Sequence, residues 1–192
     1  MQPETALVAR ICHDLITPLN AINLGLESLE ISKDSYVLES MKESTDKANA
    51  LLKFMRELFS EKEQNFYYSS TSLNKSIAEY LRYYKIAFTL ESNAESIYEI
   101  FGKLIMLTGV VVKECMPFGG KISCVLDTQT DEISIQYSGT NITEIPKNKE
   151  EELTHKTIFR YFWRKIMEEV QFEYKIMSDT DSISIYLQGK QN

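Results

Sequence analysis

Glycine is scarce in this sequence, seven residues in 192, and no two of them make the G-x-G spacing on which phosphate-cradling loops are built. Cysteine is scarcer still. Cys12, Cys115 and Cys124 are odd in number and widely spaced, with no C-x-x-C pair. That pattern argues against a disulfide framework or a zinc site and suits buried thiols in a reducing compartment. No apolar run approaches the roughly 20 residues needed to cross a bilayer, and no basic-then-apolar leader opens the chain. The expectation is a soluble, cytoplasmic protein with no membrane partner. Positive charge is also short. With 21 Lys and Arg against 28 Asp and Glu, the net charge of −7 argues against nucleic acid as the main partner, because a phosphate backbone needs a basic surface, and fits an acidic solvated surface.

What is present falls into two halves with different periods. Residues 4–64 contain one glycine, Gly25, and one internal proline, Pro18, and read as two long helices. In the first, Val8, Cys12, Leu15, Leu19, Ile22, Leu26 and Leu29 recur at alternating spacings of four and three. The polar stretch Ser32 to Ser35 separates it from a second run, Leu38, Met41, Thr45, Ala48, Leu52, Met55 and Phe59, with the same rhythm. Sustained heptads on both arms predict an antiparallel hairpin with coiled-coil-like packing. Ile11, Leu51 and Leu58 widen the stripes beyond a two-helix seam, so the economical expectation is a homodimer that closes a four-helix bundle. The alternative is that the second half of the chain covers the hairpin.

From Asn65 the period changes. "NFYYSS" and "AFTLES" read as strands around a helix in "SLNKSIAEYLRYYKI", and a helix is expected from about Ala94 to Cys115, ended by Pro117 and Gly119-Gly120. Two hairpins follow, "KISCVLD" with "EISIQYS" around "TQT", and "FEYKIMS" with "SISIYLQ" around "DTD". Between them a helix is expected from Lys149 to Val170. The fold class is therefore α+β: a helical hairpin, residues 1–64, followed by a two-layer α/β sandwich, residues 65–192.

One short stretch of the first helix, "ICHDLITPLN", breaks local rules. Setting Leu15 at zero and advancing about 100° per residue, residues 8, 11, 15, 19, 22, 26 and 29 fall within about 40° of zero. His13 lies near 160° on the same wheel, opposite the apolar stripe, with Arg10, Thr17 and Asn20 on its face. Pro18, one turn beyond, deletes the N–H that would bond the Asp14 carbonyl and costs roughly 3 kcal/mol inside a helix. Either a new helix starts at Pro18, capped by Thr17, or one kinked helix runs through it. The unbroken heptad favours the second, and a rule violation beside an outward histidine is of the sort expected at a functional site, the alternative being a kink that packing simply tolerates.

An exposed imidazole offers a nitrogen lone pair as a base, a metal ligand or a nucleophile. A metal would need further ligands, and this face supplies neither a second histidine nor a thiolate. A Ser-His-Asp hydrolase would need a nucleophile elbow that the sequence lacks. Nucleophilic attack on phosphorus remains, and phosphoryl transfer asks chiefly for positioning and charge stabilisation.

"HDLITPLNAI" resembles the H-box of two-component histidine kinases and histidine phosphotransferases, roughly H-[ED]-x-x-[TNS]-P-[LIV]. In that family a helical hairpin dimerises as a four-helix bundle with a mixed α/β domain behind it, the order expected here over nearly the whole chain. The departures are specific. Ile16 stands where kinases usually carry a basic residue. The helix "FGKLIMLTGVVVKECMPFGGKI" holds no asparagine, and Ser138 stands where the adenine-contacting aspartate should be. Lys103 and Lys113 are poor substitutes for that machinery, and the sandwich resembles a degenerate histidine-kinase ATPase domain.

A histidine-bearing bundle with such a domain is similar to histidine phosphotransferases of the ChpT type. The resemblance implies that His13 accepts a phosphoryl group from the aspartyl-phosphate of one receiver domain, such as that of a hybrid kinase, and passes it to a response regulator. It implies no cofactor in this chain, with Mg²⁺ supplied by the receiver. Asp14 matches the family's acidic position and would orient water or a neighbour, or be simply solvated, since adjacent residues on a helix do not face each other. Asp14-x-x-Thr17 resembles a motif that positions water for receiver dephosphorylation; otherwise Thr17 adjusts to the proline. Arg10 would pair with phosphoryl oxygens or with a receiver's acidic pocket, unless it is merely solvated. Ile16 and Leu24, with Asn20 beside them, suggest a docking strip for a receiver helix; the competing expectation is contact with the α/β domain. Phe159, Phe162, Trp163 and Ile166 read as core and His155 as an ordinary surface residue. An adaptor or kinase inhibitor that keeps the bundle as a docking surface without using His13 is the alternative function.

Overall fold

The computed structural model describes residues 1–31, 34–60, 66–146 and 151–189. The chain divides into two compact units, Met1–Phe59 with Glu152–Ile158, and Ser60–Glu151 with Phe159–Asn192.

In the first unit α1 (Pro3–Ile31) and α2 (Ser35–Phe59) pack as a hairpin. Helix α1 runs through Pro18 without a break, so the continuous-helix alternative holds. Ser32 and Lys33 of the expected break lie outside the described residues, and Asp34 accepts a hydrogen bond from the Tyr36 N–H at 2.9 Å, which satisfies an orphan donor at the start of α2. The face that α1 turns inward differs from the expected stripe. Its buried residues are Ala6, Pro18 and Gly25, and a Cβ at Gly25 would run into the Met41 side chain. Gly25, on one flank of the expected stripe, thus permits a close approach of α2. Val8, Cys12, Leu19 and Leu26, on the other flank, are exposed.

The remainder of this unit, Glu152–Ile158, was expected as the first part of a long helix. Lys149 and Glu150 lie outside the described residues, and the helix α5 begins only at Ile158. Hydroxyl groups divert the backbone: Thr157 Oγ1 accepts from the Thr154 N–H at 2.9 Å and donates to the Glu152 carbonyl at 2.7 Å. Such local side-chain bonds compete with helix formation.

The second unit carries a two-stranded antiparallel sheet, β1 (Tyr67–Ser69) with β3 (Ser96–Tyr98), and a five-stranded sheet. The larger sheet comprises β2 (Ile86–Ser92), β4 (Gly120–Asp127), β5 (Glu132–Ser138), β6 (Phe172–Ser178) and β7 (Ser182–Gly189) in the order β2-β4-β5-β7-β6. Only β2 and β4 are parallel. The strand β3 occupies residues expected to start a helix; α4 (Glu99–Glu114) begins after it. Alternation places Ile122, Cys124, Leu126, Ile133, Ile135, Tyr137, Ile183, Ile185 and Leu187 on the buried face, while Val125, Gln136 and Tyr186 between them are exposed.

Helices α3 (Ser70–Leu81), α4 and α5 (Ile158–Glu169) complete the second layer. Ser69 caps α3 through the Ser72 N–H at 3.1 Å. The Trp163 indole of α5 donates to Thr108 Oγ1 of α4 at 2.9 Å and stacks against Tyr174 of β6 with ring centroids 5.0 Å apart. This is the expected α+β class. Among the described residues no helix is long and apolar enough to cross a membrane.

Candidate functional site

Helix α1 presents His13 to solvent with its side chain 67% exposed, as its phase requires. Asp14 does not simply face water. Its Oδ1 lies 3.1 Å from His13 Nδ1, and its Oδ2 accepts from Arg10 Nε at 2.9 Å. The adjacent carboxylate therefore reaches the imidazole, against the expectation that neighbours on a helix stay apart. A carboxylate accepts, so Nδ1 carries the proton toward it and the lone pair of the neutral ring is left on Nε2. The site is a nucleophilic nitrogen on a rigid helix, its tautomer set by one carboxylate and that carboxylate set by one guanidinium.

Arg10 is not held out on the His13 face, as the wheel suggested. Its side chain is 13% exposed, and besides Asp14 it donates through Nη1 to the His155 carbonyl at 3.4 Å. That contact brings the second histidine to the first. The rings of His13 and His155 have centroids 5.6 Å apart and planes inclined by 35°, close enough to touch. Sequence reasoning missed this residue. The one available signal was the pair of threonines flanking it in "LTHKT", which hold the turn described above.

Thr17, Asn20 and Leu24 are exposed on the same side of α1 as His13, with Ile16 exposed beside them. Ile16 and Leu24 are 56% and 65% exposed. The strip from His13 to Leu24 spans roughly 16 Å of helix at 1.5 Å per residue.

The sandwich residues singled out in the sequence make contacts within their own unit. Gly119 and Gly120 adopt φ of 81° and 143°; a Cβ at Gly119 would strike the Lys85 backbone, and one at Gly120 the Ser138 carbonyl. Lys103 binds Glu99 at 2.7 Å. Lys113 is buried beneath aromatic rings, 3.3 Å from the Tyr80 hydroxyl and 4.1 Å above the centre of Tyr84. Ser138 ends β5 in register with Lys121 and Ser182. Of the thiols, Cys115 and Cys124 are buried, and burial pushes both up, Cys115 to about 11. Cys12 is exposed, contrary to the expectation that all three are buried.

No family model matches the sequence. A curated relative, the protein phosphotransferase ChpT of Brucella abortus (strain 2308), is 32% identical over 123 residues, 63% of this chain. A solved structure of a bacterial phosphotransferase superposes with a TM-score of 0.85 at 25% identity, covering 97% of this chain and 95% of that one. The likeness is to ChpT-type phosphotransferases. The match spans 59% of the length of the Brucella relative, whereas it takes in nearly all of the solved phosphotransferase, both layers of the second unit included. Histidine kinase ThkA, solved in complex with the response regulator protein TrrA, shares the fold at a TM-score of 0.50 and 18% identity, over 94% of this chain and 59% of that one.

Proposed function

We propose that this chain is a histidine phosphotransferase that moves a phosphoryl group between receiver-domain aspartates through His13. The observation that carries the reading is the Asp14–His13 contact, which aims a basic Nε2 outward from a fixed helix. The similarity to ChpT-type phosphotransferases supports it.

In the accepting step Nε2 attacks the phosphorus of an aspartyl-phosphate. The N–P bond forms as the P–O bond to the aspartate breaks, and the carboxylate leaves with the electron pair. The phosphorylated ring keeps its Nδ1 proton and donates it in a hydrogen bond to Asp14, whose negative charge offsets the charge developing on the imidazole. In the donating step a second receiver's carboxylate attacks the same phosphorus and Nε2 leaves as a neutral nitrogen. No general base has to remove a proton in either direction.

Mg²⁺ comes with the receiver, and this chain works without ATP: Ser138 stands where a kinase would carry its adenine-contacting aspartate, and Lys103 and Lys113, poor substitutes for nucleotide-binding groups, are engaged by Glu99 and by aromatic rings. Ile16, Asn20 and Leu24 form the docking strip for a receiver helix, with Thr17 next to the phosphoryl group. A hybrid kinase's receiver is the donor and a response regulator the acceptor. The protein acts in the cytoplasm as a homodimer, its second copy covering the exposed flank of Val8, Leu19 and Leu26 on α1 and Leu38 and Leu52 on α2.

The test mixes the protein with a phosphorylated receiver domain in the absence of ATP and follows acid-labile, base-stable label. Wild type should take label and His13→Ala none. A receiver that docks without transferring would overturn the phosphotransferase reading in favour of an adaptor.

A further inference from the structure

The chain's two histidines are far apart in sequence, yet their rings meet at 5.6 Å. Two independent devices hold His155 there. Its own turn is fixed by the Thr154 and Thr157 hydroxyls, and its carbonyl is held by Arg10, the same guanidinium that orients Asp14. The backbone on either side of His155 is thereby tied to the side chains that set His13.

This arrangement is more than a packing solution. A surface turn that needs a small or polar residue has no use for a ring beside another ring, and the imidazole remains partly exposed. His13 already directs Nδ1 at Asp14, which leaves Nε2 for chemistry, and the second imidazole lies beside the same ring. A phosphoryl group on Nε2 brings three oxygens and about two negative charges within reach of that neighbour. The other groups around the pair cannot take this role as they stand. Asp14 is an anion and would repel the oxygens, and Arg10 donates to Asp14 and the His155 carbonyl. On the turn itself, Glu152 is again an anion.

We propose that His155 is the second imidazole of the phosphotransfer site and donates a ring N–H to the oxygens of the phosphoryl group on His13. The inference rests on His13 being the phosphoryl acceptor. His155 would act on the entering group before the N–P bond is complete and on phosphohistidine afterwards, adding a donor to a site where Asp14 supplies only negative charge.

Phosphoramidate, which phosphorylates histidine directly, separates this idea from the receiver-dependent reading. The N–P bond to His13 forms, the P–N bond of the reagent breaks, and ammonia leaves. Initial rates would be measured over a range of phosphoramidate concentrations for wild type, His155→Ala, His155→Phe and His155→Arg, with His13→Ala subtracting any label on His155 itself. A donor lost from a phosphoryl group is expected to lower the second-order rate constant about tenfold. Both His155→Ala and His155→Phe should show that loss, and His155→Arg, which keeps N–H donors, should stay within about threefold of wild type. The phosphorus-31 resonance of phosphohistidine should also move between wild type and His155→Phe. Equal rates in all four proteins would overturn the proposal. So would a wild-type rate in His155→Phe with a loss in His155→Ala, because the ring would then serve packing alone. Failure of receiver transfer with His155 effects intact would refute the phosphorelay partner and leave the second imidazole standing.

Discussion

Helix α4 buries eleven of its sixteen residues, whereas α1, nearly twice as long, buries three of its twenty-nine. Both are rich in aliphatic side chains. The difference is that α4 is surrounded by its own unit, with Trp163 fastened to Thr108 and Phe101 stacked on Phe172. Helix α1 has α2 along one flank and leaves leucines on the other. The sheet unit closes its core within one chain, and the hairpin carries an apolar flank that is left over after intrachain packing. A helix that is apolar all round belongs in a core; one with a spare apolar flank is exposed along that flank within this chain.

The sharpest way to break that contrast is in the closed core. Trp163→Ala should cost about 3–5 kcal/mol of unfolding free energy, because a large cavity opens and the donor to Thr108 is lost; urea denaturation followed by circular dichroism measures it. The open flank should respond in the opposite sense. Leu19→Lys combined with Leu26→Lys should leave the monomer's unfolding free energy nearly unchanged, since both side chains are already about half exposed. It should weaken self-association about 100-fold, as expected when central apolar contacts of an interface become charged; sedimentation equilibrium reads it. Unchanged association would mean that the leftover flank serves something other than a second copy.

The smallest effect concerns the rim of the sheet unit. Arg160 bonds Glu151 at 2.9 Å through Nε and Glu114 at 2.8 Å through Nη1. The Arg160 hydrogen bond holds the Glu151 carboxyl below its ordinary value of 4.5. A carboxyl lowered on folding adds stability that is fully present above its unfolded-state value and disappears as pH falls through the folded-state value. Stability should therefore decline as pH falls below that ordinary value of 4.5, and Glu151→Gln should flatten part of that decline while costing less than about 1 kcal/mol at pH 7 after solvent screening. Thermal melts at stepped pH test it.

The physical reason that some of this was legible in the sequence, and some not, lies in individual residues. The outward histidine followed from helical phase alone, because a 100° step is enforced by backbone geometry. The strands of both hairpins followed from alternation. The centre of the α1 seam was misplaced, because Pro18 and Gly25 make the close approach and neither adds to an apolar stripe. The expected helix from Lys149 failed in its described part, at Glu151–Thr157, because two threonine hydroxyls outcompete a charged stretch of good helix formers. The strand β3 is three residues long, too short for any period to register. His155 could not be placed at all, since its position depends on a turn, a guanidinium and a long-range contact together.

The borrowing of Glu152–Ile158 by the hairpin unit also sets an order of events during synthesis. Helices α1 and α2 leave the ribosome first, but the turn that carries His155 follows only after β5, a delay of roughly 5 to 20 s at ordinary elongation rates. A nascent chain cut short anywhere in that interval would carry His13 without its neighbour. The two-histidine arrangement is thus completed only once the Glu152–Ile158 segment has been made, and a product truncated before it would carry the outward imidazole of His13 without the ring beside it.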